Sequence, residues 1–105
     1  MSTKPKKSRT RRHLEKLAGG TLTLGMTIRA TREGEGLSQA AFARKLGVTR
    51  SYLCDLEKNR KTVSPAKAAK FARLLGYSEQ QYVRLALQDA LKRAGLAYAV
   101  DVRAA

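Results

Sequence analysis

The sequence holds one cysteine, Cys54, and one histidine, His13. A single thiol cannot close an internal disulfide, and the pair cannot make up a zinc site. A reducing cytoplasm is therefore the expected compartment. No apolar run approaches the length of a membrane span. The basic N-terminus is not followed by an apolar segment, so it does not read as a secretory signal. Acids are scarce too, with 8 against 22 lysines and arginines, a formal net charge of +14. No metal-ligand cluster and no nucleophile–base pair stands out. The expectation is a protein that is not an enzyme and that holds no metal or cofactor.

What is present fits one modest domain with a tail: 105 residues, 43% of them hydrophobic. The charge falls in blocks. Residues 1–12 carry Lys4, Lys6, Lys7, Arg9, Arg11 and Arg12 and no acid. Residues 44–73 hold nine bases against Asp55 and Glu57, a net of +7, while residues 74–105 contribute only +1. Solvated lysines that merely aid solubility would not concentrate in this way, so a polyanionic partner is implied.

Apolar spacing then divides the chain. Residues 1–20 read as a basic arm, with "RRHLEKLA" as a short helical turn closed by Gly19-Gly20. A first core helix begins at Leu24 and ends at Gly34. Ser38 opens a second, with Phe42, Ala43 and Leu46 on one face and Gly47 at its end. Thr49 caps a third, in which Leu53 and Leu56 face inward. Ser64-Pro65 opens a fourth that buries Ala68, Ala69, Ala72 and Leu75 and stops at Gly76. Ser78 with Gln81 suggests a capping box for a fifth, running to about Ala94. The final "LAYAVDVRA" alternates Leu96, Tyr98, Val100 and Val102 with smaller or charged residues, which is the period of a strand.

The stretch "LSQAAFARKLGVTRSYLCDLEKNR" contains two helices too short to persist alone, with a sharp corner between them. The second opens on polar residues that no core requires. A helix-turn-helix explains both, because its second helix presents a polar leading edge to the major groove of DNA. In Gln39, Phe42-Ala43, Leu46-Gly47-Val48-Thr49, Leu53 and Leu56-Glu57 this stretch resembles the Cro/repressor (XRE) family. The resemblance implies an all-α, five-helix repressor-like bundle over residues 21–78. The basic arm precedes it, and a C-terminal helix and short β-strand follow over residues 79–105. The family's usual asparagine-glycine after the glutamate is replaced here by Lys58-Asn59-Arg60.

Roles follow from the resemblance and from chemistry. Arg50 and Ser51 match base-contacting positions, and an arginine there can donate two hydrogen bonds to guanine. Asp55 either accepts from a cytosine amino group or is a surface charge. Tyr52 touches a thymine methyl or a phosphate, or packs against the neighbouring helix. Gln39, Thr49, Asn59, Arg60 and Lys61 are expected at phosphates, with the six bases of the arm. Arg32 and Glu57 match an ion pair that ties the first helix to the recognition helix. Cys54 reads as a small helical residue and His13 as a solvated one.

The expected function is sequence-specific binding of double-stranded DNA as a dimeric repressor. The alternative is an antitoxin that also regulates its own operon, with a toxin protein as partner. Two apolar stripes mark the last helix, Val83, Leu87 and Leu91 on one and Tyr82, Leu85 and Ala86 on the other. One stripe is surplus to the core of a lone domain. The expected dimer surface is Val83, Leu87 and Leu91 with Tyr98, Val100 and Val102 of the strand.

Overall fold

The computed structural model describes residues 22–105. The basic arm and "RRHLEKLA" lie outside the described residues. Five α-helices follow: α1 (Leu24–Gly34), α2 (Gln39–Leu46), α3 (Arg50–Glu57), α4 (Pro65–Leu75) and α5 (Glu79–Arg93).

Local chemistry accounts for their boundaries. Each begins with a hydroxyl, from Thr23, Ser38, Thr49, Ser64 or Ser78, accepting a backbone N–H three residues on at 3.0–3.1 Å. Such a cap is worth about 1 kcal/mol. Each ends with a residue in the left-handed region, followed by an N–H that bonds five residues back. In α2 that residue is Gly47, at φ 73°, and the Val48 N–H reaches the Ala43 carbonyl at 3.0 Å. In α3 it is Asn59, at φ 58°, the only non-glycine with positive φ among the described residues. Asparagine tolerates this region better than other residues with a side chain. The departure from asparagine-glycine thus leaves the turn after α3 intact.

The core gathers one face of every helix: Leu24 and Ile28, Phe42 and Leu46, Leu53 and Leu56, Phe71 and Ala72, Tyr82 and Leu85. On α4 the buried set is Ala68, Phe71 and Ala72, whereas Ala69 and Leu75 are half-buried. Phe71 completes the i, i+3, i+4 stripe that the alanines alone leave underfilled. Packing runs α1 on α3 and α5, α2 on α3 and α4, and α4 on α5. The approach of α1 to α3 is very close. A Cβ on Gly25 would stand 2.0 Å from the Leu56 carbonyl oxygen, so only glycine fits there.

The expected C-terminal strand does not form; residues 96–105 carry no regular secondary structure. Alternation in sequence makes a segment extended, but a ladder needs a second strand, and the described residues include none. The tail instead turns at Gly95 and runs back along α5. The Gln88 amide donates to the Tyr98 carbonyl at 2.7 Å and accepts from the Val100 N–H at 2.9 Å. Gln80 donates in turn to the Val102 carbonyl. Side-chain amides do here what a neighbouring strand would otherwise do.

Candidate nucleic-acid interface

Helices α2 and α3 meet at the Gly47 corner, and Thr49 starts α3 with its first residues turned away from the core. Arg50 and Ser51 are exposed, Tyr52 is half-buried, and Leu53, Leu56 and Glu57 point inward. Amphipathicity divides the helix: its apolar residues hold it in the bundle, and its polar edge stays available to solvent.

Glu57 is the one buried charged residue among the described residues, 5% exposed, and its carboxylate accepts three hydrogen bonds. Arg32 donates from Nε to Oε2 at 2.7 Å and from Nη2 to Oε1 at 3.0 Å, while Gln39 Nε2 donates to Oε1 at 3.0 Å. The third Arg32 nitrogen, Nη1, bonds the Leu37 carbonyl at 3.0 Å. One carboxylate therefore ties α1, the start of α2 and the end of α3 together. The hydrogen bond to Glu57 outweighs desolvation and raises the Arg32 pKa above its ordinary value. Bidentate geometry fixes orientation as well as distance, so this cluster sets how α3 is presented.

The turn after α3 is held from two further sides. Thr23 donates from Oγ1 to Asn59 Oδ1 at 2.7 Å, and Arg93 of α5 donates to the Asn59 carbonyl at 3.0 Å. Asp89, also on α5, accepts from the Leu24 N–H at 3.0 Å. Partial burial raises the Asp89 pKa against the lowering effect of that hydrogen bond.

Basic side chains surround the polar edge. Asp55 sits 3.5 Å from Arg60 and 3.7 Å from Lys61, loose contacts that offset its repulsion of an approaching anion. Lys61 and Lys67 both lie over the Tyr52 ring, 5.6 and 4.7 Å from its centre. Lys67, in the first turn of α4, is absent from the residues singled out in sequence, although the basic block of residues 44–73 contains it. Its distance from Tyr52 along the chain hid the contact. Cys54 is half-buried and free. Among the described residues there is no group of three metal-ligating side chains, and no helix is long and apolar enough to cross a membrane.

The expected dimer residues are divided by the fold. Tyr82, Leu85 and Ala86 enter the core, whereas Val83, Leu87 and Leu91 are half-buried on α5. Val100 and Val102 are half-buried in the tail, and Leu96 and Tyr98 stay 46% and 67% exposed.

Comparison with known proteins agrees with this geometry. Residues 28–82 match a family model described as helix-turn-helix. A hypothetical transcription factor from Neisseria, NHTF, has a crystal structure similar to this chain at 31% identity and a TM-score of 0.51. The similarity covers 67% of this chain and 79% of that one. No curated protein matches. The matched residues run from Ile28 on α1 through α2, α3 and α4 to Tyr82 in the first turn of α5, and the chain belongs to the helix-turn-helix proteins of the Cro/repressor (XRE) type.

Proposed function

We propose that the protein is a sequence-specific transcriptional regulator of double-stranded DNA, acting as a dimeric repressor. The observation that carries this reading is the exposed Arg50-Ser51 edge of α3, held in orientation by the Arg32–Glu57–Gln39 cluster. Arg50 and Ser51 face bases, with Asp55 one turn further along the helix, and Tyr52 meets the backbone. Arg60 and Lys61 meet phosphates with Thr49 and Asn59. Gln39 joins them through the amide hydrogen that Glu57 leaves unused. The six bases of residues 1–12 add electrostatic affinity. The half-covered stripe Val83, Leu87 and Leu91, with Leu96 and Tyr98 beside it in the sequence of the tail, supports a second copy as partner.

Selection of duplexes from a random pool by purified protein tests the reading. Arg50→Ala is expected to cost about 1–3 kcal/mol and to relax preference at one base pair per half-site. An unchanged selected motif would remove α3 from base readout. The antitoxin reading draws on the exposed Leu96 and Tyr98 of a tail held largely by two glutamines. Co-purification of a small neighbouring gene product bound through residues 96–105 would favour it.

A further inference from the structure

We propose that Lys61, Lys67 and the Tyr52 hydroxyl form a clamp for one DNA phosphate beside the recognition helix, so that Tyr52 positions the backbone and reads no base. The proposal rests on the double-stranded DNA reading above. Two ammonium groups converge on one ring, and Lys67 Nζ also stands 3.5 Å from the Tyr52 hydroxyl. Lys61 shares Asp55 with Arg60 at a loose 3.7 Å, and Lys67 has no carboxylate partner among the described residues.

The position of Lys67 strengthens the case. It lies in the first turn of α4, its own N–H capped by Ser64 at 3.1 Å, and that turn contains no acid. The first turn of a helix favours anions and disfavours cations. A second ammonium nearby adds repulsion, and a cation–π contact at an exposed site returns only about 0.5–1 kcal/mol. Stability alone therefore does not explain the arrangement; a bound anion offsets all of the unfavourable terms together. A backbone phosphate fits, since it accepts from both ammonium groups and from the phenol at once. Tyr52 also packs against the core, which fixes the ring on which the lysines rest.

The test uses the full-length protein and a duplex selected by it, with affinity measured against salt. Lys67→Ala is expected to flatten the slope of log K against log salt by about 0.9 and to weaken binding roughly fivefold near physiological salt. Tyr52→Phe is expected to keep the slope and lose roughly fivefold in affinity, the equivalent of one hydrogen bond. Neither these variants nor Tyr52→Leu should alter the selected sequence. A changed base preference in either Tyr52 variant, or an unchanged slope in Lys67→Ala, overturns the clamp. If wild-type protein selects no sequence and Arg50→Ala binds as it does, base readout fails separately. The Lys67 slope on arbitrary duplex then still decides the clamp.

Discussion

The junction of α1, α2 and α3 and the seam between α5 and the tail are both held by side chains that cross between segments, yet their chemistry differs. At the junction, a buried carboxylate is met by three donors, two of them from one guanidinium. At the seam, neutral glutamine amides meet backbone groups of an otherwise unpaired segment. A charged network in a water-poor site is costly to disrupt, because removing one partner strands the other without solvent. Neutral hydrogen bonds at the surface exchange readily with water and contribute about 1 kcal/mol each. The contrast matches the proposed division of labour: a recognition helix must be presented in one orientation, whereas a tail that meets partners can open.

Three substitutions and one control test that contrast. Glu57→Ala should have the largest effect, destabilising the fold by about 3–5 kcal/mol, because Arg32 and Gln39 lose their common acceptor. The exposed Arg29–Glu33 pair, of similar 3.0 Å separation, provides the control. Arg29→Ala should cost no more than about 0.5 kcal/mol. Denaturant unfolding of the two variants checks both values. Equal losses would show that burial does not set the strength of the junction.

Gln88→Ala should act locally. The Val100 amide loses its acceptor and the Tyr98 carbonyl its donor, a change of about 1–3 kcal/mol confined to the tail. Hydrogen exchange at Val100 should accelerate at least tenfold, while amides of α1 to α3 keep their protection. Slow exchange at Val100 in the variant would mean that Val100 and Val102 hold the tail by packing alone.

Of the three, Tyr82→Phe should have the smallest effect, and with the opposite sign. Tyr82 is buried on the core side of α5, and its hydroxyl finds no partner at hydrogen-bonding geometry. The Thr31 hydroxyl near it already donates to the Thr27 carbonyl at 3.0 Å. Deleting an unpaired buried hydroxyl should leave stability at neutral pH unchanged or raise it by up to about 1 kcal/mol. Burial pushes the Tyr82 phenol up to about 12 from its ordinary 10.0. The folded protein therefore holds this proton more tightly than the unfolded chain does. The contribution is complete below pH 10 and is lost as pH rises through about 12. Melting curves of both proteins should separate further, in favour of phenylalanine, above pH 10. A constant gap would show that Tyr82 does not titrate in this way.

The positions of the helices follow from the order of residues alone. Ser38, Thr49, Ser64 and Ser78 cap within three residues, and Gly47, Gly76 and Gly95 end helices through bonds that span five residues at most. Such contacts are local, so the one-dimensional pattern contains them in full. The exposed start of α3 was legible for the same reason, since the 3.6-residue period separates Arg50 and Ser51 from Leu53 and Leu56. The rest depends on which segments pack together. The alternation of Leu96 to Val102 describes an extended backbone but cannot say whether a strand or the side chains of Gln80 and Gln88 will meet it. Two apolar stripes on α5 were equally legible, and packing of α4 and α1 chose Tyr82, Leu85 and Ala86 for the core. Gly25 carries no local signal, because what excludes a side chain there is the Leu56 carbonyl of another helix. Lys67 meets Tyr52 across 15 positions for the same reason: the contact exists only once α4 has packed beside α2 and brought its first turn to the recognition helix.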